Sequence, residues 1–429
     1  MVYRASGGNG LAEILVDGLH RLRGEIEIQG SKNAALPMMA AAVLHKGMTV
    51  LTNVPRIQDV FCMMGILKSI GCKCSLEGHT LTIDASEITQ IQIPKEFLTA
   101  MRSSVILMGA ILGRCKEVKA GYPGGCTIGK RPIDLHLYAL REMGVQIQEM
   151  DGQLHAQAER LRGGEIIFSY PSVGATEQAI LAAVLAEGIT RIHGAAREPE
   201  IGSMCRMLEH MGANIQEIGT DTLKIQGVTS LKDRVCKVPG DRIVAGTYLY
   251  AVMASGGEAI LTGIHAAQLE QVLQTAMQMG AKLEWKDYQE HSYLNVKMEK
   301  RPDNIWVKTS PYPGFPTDLQ SPLMALMAAG NGEGEIQETV FEGRFGTAKE
   351  LEKLGARIEI WRDRARIHGI YPLHGGMVQA SDLRGGAALV IAGLAAEGVT
   401  RIQNSHHIFR GYEDICGDLK ALGADVRKA

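Results

Sequence analysis

LREMGVQI, from Leu140 to Ile147, reads as a helix end, a glycine and the start of a strand, and the chain carries six versions of it. The others are LKSIGCKC (Leu67 to Cys74), LEHMGANI (Leu208 to Ile215), AMQMGAKL (Ala276 to Leu283), LEKLGARI (Leu351 to Ile358) and LKALGADV (Leu419 to Val426). Their glycines, Gly71, Gly144, Gly212, Gly280, Gly355 and Gly423, stand 73, 68, 68, 75 and 68 residues apart. Glycine closes a helix in the left-handed conformation without a Cβ penalty. Self-similarity at a nearly fixed period marks a repeated supersecondary unit. Six such units fill the chain.

Working outward, each unit opens on an apolar helical run after a polar or glycine-containing turn. Examples are GSKNAALPMMAAAVL, SVGATEQAILAAVLA, GDRIVAGTYLYAVMA and DLRGGAALVIAGLAA. A short β-branched or alternating strand follows, as in GMTVLTNV, GITRIHGA, GEAILTGI, GEIQETVF and GVTRIQNS, and leads into a second helix that ends at the glycine. The unit is strand, helix, strand, helix, strand. Lys32, Arg102, Ser172, Asp241, Thr317 and Asp382 lie 39, 42, 40, 39, 38 and 41 residues before their glycines, so six first-helix N-termini present polar groups at matching places. Converging N-termini make an anion site from unpaired N–H groups and partial positive charge. Ser172, Asp241 and Thr317 fit ordinary capping equally well.

The connection from middle strand to second helix varies most between units. It is PGGCTIGKRP in the second, AAREPEI in the third, FEGRFGT in the fifth and HHIFRGYED in the sixth. Cys126, Arg131, Arg197, Glu198, Glu200, Arg344 and Arg410 therefore share one tier, where loops on a repeated scaffold carry function. The turn-rich joint GVTSLKDRVCKVPG, Gly227 to Gly240, divides three units from three. Two lobes imply an interlobe cleft that can close on a ligand.

Composition narrows the class. At 429 residues, with 45% hydrophobic but only 5% aromatic content, 50 glycines and 20 methionines, the chain supports two or three cores packed through small side chains and disfavours base stacking. A net charge of -2 gives no global field for nucleic acid or an anionic membrane, so any anion site must be local. The start, MVYRASGGNGLAEILVDG, lacks a signal-peptide core, and no run is long enough to span a bilayer; a cytoplasmic location is expected. The eight cysteines form no CxxC pair, so neither a zinc site nor a disulfide framework is indicated.

The second-unit loop, PGGCTIGKRPIDLH (Pro123 to His136), places Cys126 among Gly124, Gly125 and Gly129 and beside Lys130 and Arg131. Such cations favour a thiolate and attract an anion. The plain alternative is an exposed surface turn.

GSKNAALP, PGGCTIGKRPIDLH, SVGAT, AAREPEI, FPTDLQ, ETVFEGRF, SDLRGGAAL and FRGYED, in that order, resemble the UDP-N-acetylglucosamine 1-carboxyvinyltransferase family over residues 13 to 429. The resemblance implies an α/β fold: a two-lobed inside-out α/β barrel of six βαβαββ-type repeats, three per lobe. Residues 1–12 form a short extension. Residues 33–238 form the lobe carrying the Cys126 loop, and residues 13–32 plus 239–429 form the other. It implies transfer of the enolpyruvyl group of phosphoenolpyruvate to the 3'-hydroxyl of UDP-N-acetylglucosamine, the first committed step of peptidoglycan synthesis. The reaction proceeds by addition and elimination of phosphate, with no cofactor and no metal; the only partners implied are the small-molecule substrates.

By the same resemblance Cys126 is the proton donor, Asp318 the general base, and Lys32, Arg131 and Arg410 hold phosphoenolpyruvate with Asn33, Arg344 and Arg384. Asn33, Arg102, Arg131, Pro132, Ile133, Asp134, Leu135, Ser172, Val173, Gly174, Asp318 and Val340 face the nucleotide sugar, Phe341 packs beside it, and Glu198 and Glu200 are structural first. Arginine forks suit carboxylate and phosphate, whereas lysine acts as a point charge.

Four positions depart from the family's pattern: Val244 and Phe409 replace acids, and Gly385 and Gly386 predict a more flexible helix start. Tyr170 stands where some members carry lysine. Two alternatives stay open. One is 3-phosphoshikimate 1-carboxyvinyltransferase, which uses the same donor but lacks this cysteine loop; the other is a non-catalytic nucleotide-sugar-binding paralogue.

Overall fold

All six marker glycines close their helices in the same way. Gly71, Gly144, Gly212, Gly280, Gly355 and Gly423 have φ between 85° and 110°. Around each, the glycine N–H bonds three residues back and the next N–H bonds five back, as in Gly144 N to Arg141 O (2.9 Å) and Val145 N to Leu140 O (3.1 Å). That pair of bonds satisfies carbonyls the helix end would otherwise orphan. The computed structural model describes residues 13–122, 124, 129, 132–150, 152–286 and 292–429.

Each unit contributes one inner helix: α1 (Lys32–Ala42), α2 (Leu107–Cys115), α3 (Val173–Ala183), α4 (Arg242–Ser255), α5 (Gln320–Ala328) and α6 (Leu383–Leu394). Their sequences are apolar nearly all round, so they cannot sit on a surface. Every residue of α5 and α6 is buried. Small residues let these helices touch backbone to backbone: a Cβ on Gly109 in α2 would lie 2.4 Å from Gln178 O in α3.

Strands and second helices wrap outside. Among the described residues there are five four-stranded sheets, a three-stranded one and a short two-stranded pair. The four-stranded sheets repeat one pattern: a parallel first pair and then antiparallel neighbours, as in Trp306–Lys308, Glu333–Gln337, Arg364–His368 and Arg357–Trp361. The three-stranded sheet keeps only a bridge, Gln92 to Lys119, where the first strand would be.

The sequence pattern does not show three strand exchanges. Arg23–Glu27 pairs in parallel with Glu258–Thr262, and Arg234–Lys237 with Met48–Thr52. Ile14–Asp17 lies between Val399–Gln403 and Asp425–Lys428, completing the last unit's sheet. The buried apolar residues accordingly form two cores. One runs from Ala34 to Val238; the other joins Ile14–Ile28 to Ile243–Val426. The chain passes between them twice, side by side, with Ser31 N bonded to Pro239 O (2.7 Å) and Asp241 N to Gln29 O (2.9 Å). A Cβ on Gly30 would stand 1.8 Å from Asn53 O, so only glycine fits that crossing. No helix among the described residues is long and apolar enough to cross a membrane.

Candidate active site

The heads of the inner helices meet between the two cores at a cleft of about 750 Å³. Lys32 and Asn33 open α1, Ser172 caps α3 ahead of Val173 and Gly174, and Arg384 lies in the first turn of α6; all line the cleft. Arg102 and Asp318 belong to 3-10 turns that precede α2 and α5, and they line it too. So do Pro132, Ile133, Asp134 and Leu135 at the head of the second unit's outer helix, with Val340, Phe341, Arg344 and Arg410. Cys126 and Arg131 lie outside the described residues. Of their loop, Gly124 lines the cleft and its carbonyl accepts from Arg102 Nη1 at 3.1 Å.

Two carboxylates organise the cations. Asp318 accepts from Arg384 Nε (3.2 Å) and Nη2 (3.1 Å) and from Arg344 Nη2. Burial would raise its carboxyl, but Arg384, Arg344 and Lys32 outweigh that and hold it well below the ordinary carboxylate range. Arg384 is oriented by the Tyr412 hydroxyl at 3.4 Å, which also bonds Thr247 Oγ1 at 2.7 Å. Asp59 accepts from Lys32 Nζ (3.1 Å) and from Arg410 through Nε (2.9 Å) and Nη2 (3.3 Å). Burial again opposes ionisation, and Lys32 and Arg410 overcome it.

A second group of residues lining the cleft is acidic. Glu200 takes Arg242 through Nε (2.8 Å) and Nη2 (3.3 Å), and Glu198 accepts from Tyr312 N at 3.3 Å. Glu177 is buried beside them, and burial, reinforced by Glu200 and Glu198, pushes its carboxyl well above the ordinary range. Ser172 Oγ accepts from Ala175 N at 3.4 Å. The N–H groups of Val173 and Gly174 fall in the first turn, where a helix supplies no acceptor. Glycine is needed at 174, since a Cβ would stand 2.9 Å from His136 Cε1. Val340 donates its N–H to Glu338 Oε1 at 2.7 Å, so a ligand contact through this backbone falls to its carbonyl.

Two expectations need correction. Thr317 opens a 3-10 turn instead of capping a helix, and its hydroxyl donates to Glu338 Oε2 at 2.9 Å. Gly385 and Gly386 are packing glycines and do not loosen the helix start: Cβ atoms there would lie 2.5 Å from Thr347 Oγ1 and 2.6 Å from Ile408 Cγ1. The departures Val244 and Phe409 find apolar places, Val244 in the core and Phe409 packed against it under Lys428 Nζ.

A family model described as EPSP synthase (3-phosphoshikimate 1-carboxyvinyltransferase) matches residues 16–419. The protein named UDP-N-acetylglucosamine 1-carboxyvinyltransferase 2 from Caldanaerobacter subterraneus is 43% identical over 417 residues, 97% of this chain and 99% of that one. The UDP-N-acetylglucosamine 1-carboxyvinyltransferase of Cellvibrio japonicus is 42% identical over 419 residues, 97% and 99% of the two chains. The chain belongs to the UDP-N-acetylglucosamine 1-carboxyvinyltransferase family. Among solved structures, the enolpyruvyl transferase NikO from Streptomyces tendae matches with a TM-score of 0.87 at 26% identity, covering 98% of this chain and 100% of that one. EPSP synthase from Acinetobacter baumannii, at 18% identity, 97% and 100% coverage and a TM-score of 0.76, shares the fold.

In this member of the carboxyvinyltransferase family, reading the motifs missed Asp59, Glu177 and Arg242, all of which line the cleft. A signal for Asp59 exists in the repeat itself. Asp59 and Glu200 each stand 12 residues before their marker glycine, and each takes an arginine of the other core by two N–H groups.

Proposed function

We propose that this chain transfers the enolpyruvyl group of phosphoenolpyruvate to the 3'-hydroxyl of UDP-N-acetylglucosamine, releasing phosphate, in the opening step of peptidoglycan synthesis. The observation that carries the reading is the convergence of Lys32, Arg344, Arg384 and Arg410 with Asp318 in one cleft between two cores. Phosphoenolpyruvate brings a phosphate and a carboxylate, and three arginine forks with a lysine gathered around Asp59 and Asp318 are the groups suited to receive them. The acidic side and the α3 N-terminus suit the larger, hydroxyl-rich acceptor, whose diphosphate fits the Val173 and Gly174 N–H groups.

In the addition step the 3'-oxygen bonds to C2 of phosphoenolpyruvate, Asp318 accepts the hydroxyl proton, and Cys126 protonates C3. The Cys126 thiolate then takes a proton back from C3 as the C2–O bond to phosphate breaks, phosphate leaves with the proton that Asp318 had accepted, and the double bond is restored in the enolpyruvyl group now on the sugar oxygen. The Asp318 carboxylate is ionised but weakly basic while Arg344 and Arg384 grip it. Phosphate and carboxylate competing for those arginines raise its basicity as the substrates bind. We assign residues 33–238 to one lobe and 13–32 with 239–429 to the other, with Arg131 among the anion-holding groups and Cys126 delivered by its loop. The reading carries a cytoplasmic location, where both substrates arise.

Phosphate release from phosphoenolpyruvate, with UDP-N-acetylglucosamine or shikimate 3-phosphate as acceptor, tests this directly. Turnover with the nucleotide sugar is expected, with severe loss in Cys126→Ala and alkylation of Cys126 by the epoxide fosfomycin, visible as a mass increase. Turnover with shikimate 3-phosphate alone would sink the reading. Tight nucleotide-sugar binding without phosphate release would favour a non-catalytic role.

A further inference from the structure

The geometry points to Asp59 as a positioning residue for the anionic donor, one that holds Lys32 and Arg410 together as a single cationic pair across the joint between the two cores. The identity of that donor rests on the function proposed above.

The oxygens of Asp59 receive Lys32 Nζ at 3.1 Å, Arg410 Nε at 2.9 Å and Arg410 Nη2 at 3.3 Å. Lys32 begins α1 beside the chain crossing, whereas Arg410 ends the Ser405–Arg410 turn, 351 residues from Asp59. Without a shared acceptor these two cations would repel each other and part. Exposure is graded in the useful direction. The Asp59 side chain is 4% exposed, Lys32 15% and Arg410 35%, so the cations present more surface to a ligand in the cleft than the acid does.

The repeat adds an independent comparison. At the equivalent position in the third unit, Glu200 grips Arg242 with two N–H bonds, and among the described residues no second cation pairs with it. The acid at this position fastens an arginine of the other core; only at Asp59 is a lysine of the cleft gathered in as well. Helix-end stabilisation does not account for the arrangement. A carboxylate in the first turn can interact with its own helix dipole wherever it points, yet Asp59 is turned onto two partners outside its helix.

Asp59→Asn, Asp59→Glu and the unsubstituted protein are titrated with phosphoenolpyruvate alone by calorimetry. Their phosphate release is then followed with UDP-N-acetylglucosamine present, and nucleotide-sugar affinity is measured separately. The asparagine variant is expected to weaken phosphoenolpyruvate affinity and its kcat/KM by about 30-fold, mainly through KM, while nucleotide-sugar affinity stays within about twofold. Glutamate should recover much of the loss. Unchanged phosphoenolpyruvate affinity in Asp59→Asn overturns the proposal. So does a parallel loss of both affinities with glutamate no better than asparagine, since that is the mark of a structural role. If the unsubstituted protein binds phosphoenolpyruvate without turning over the nucleotide sugar, the acceptor reading falls and the affinity arm still decides Asp59. If it binds none, both ideas fail.

Discussion

Asp59 and Glu200 occupy the same place in the repeat and both hold an arginine from the other core, yet they sit in opposite electrostatic surroundings. Asp59 has a second cation, Lys32, and near it Asp318 holds Arg344 and Arg384. Glu200 has instead two more carboxylates beside its single arginine, Glu177 and Glu198. One scaffold position thus serves a cation-rich end, where Asp59 and Asp318 are held down, and an acid-rich end, where burial pushes Glu177 and Glu198 up. The fold supplies the grip between cores, and the neighbours decide whether the place attracts an anion or stores a proton.

The largest effect should come from the cation-rich end. Asp318→Asn removes both the proton acceptor and the counter-charge of two arginines. Turnover should fall about 1,000-fold, measured as phosphate release, with the melting temperature also lowered because the buried Arg344 and Arg384 lose their shared partner. A variant with near-normal kcat would mean that the hydroxyl proton goes elsewhere.

Arg242→Leu strikes the acid-rich end. It leaves Glu200 unpaired next to Glu177 and Glu198, so unfolding free energy should drop by about 3–5 kcal/mol, read from denaturant titration. The kinetic loss should be smaller than for Asp318→Asn and confined to the nucleotide sugar. A larger effect on phosphoenolpyruvate than on the sugar would break the division of the cleft.

How far this polarity could be foreseen depends on the level of description. The six units were legible because their defining bonds are local. Gly144 needs φ of 85° whatever surrounds it, and its flanking LREM and VQI state helix and strand on their own. The helix heads that carry Lys32 and Arg102 were placed by similar distances to those glycines, whereas Asp318, Arg384 and Arg410 were named by the motif resemblance. The strand exchanges were hidden from the local pattern, since RGEIE and RVCK read alike as edge strands and nothing local says which core each will join; only the family resemblance put residues 13–32 with 239–429. Asp59 was hidden for a related reason. An acid in a helix's first turn is commonplace, and its partners are far away in sequence. Only alignment of the units on their glycines singles it out beside Glu200.

The two ends should also answer pH with opposite signs. Asp59 and Asp318 ionise below their ordinary value of 3.8, so the stability they add is present above that value and is lost as pH falls toward their folded pKa values. Glu177 is raised well above 4.5; the folded state keeps a proton that the unfolded chain releases, and stability is lost as pH rises from 4.5 toward the folded value. Glu177→Gln should therefore flatten the decline of stability on the neutral side, gaining about 1 kcal/mol at pH 8, and leave the acid limb untouched. An unchanged slope between pH 5 and 8 would show that Glu177 is not the group that stores the proton.

The smallest effect should come from the outer edge of the same joint, and its smallness is informative. The loop carrying Arg410 is fastened a second time by Glu413, whose carboxylate accepts from Arg56 N at 2.9 Å and pairs with His79 Nε2 at 2.9 Å. Gln29 bonds the same loop at Gly411 O (3.0 Å) and Glu413 N (2.8 Å). His79 is 54% exposed, and ion pairs in water add little. Glutamine at 413 still accepts the Arg56 N–H, and the Gln29 bonds to the backbone persist. Glu413→Gln is thus expected to change stability by less than about 0.5 kcal/mol and phosphoenolpyruvate affinity by less than about twofold, by the same calorimetry used for Asp59. A loss as large as that of Asp59→Asn would mean that Arg410 is placed by how its loop is docked, and Asp59 would lose its claim to hold the cation pair.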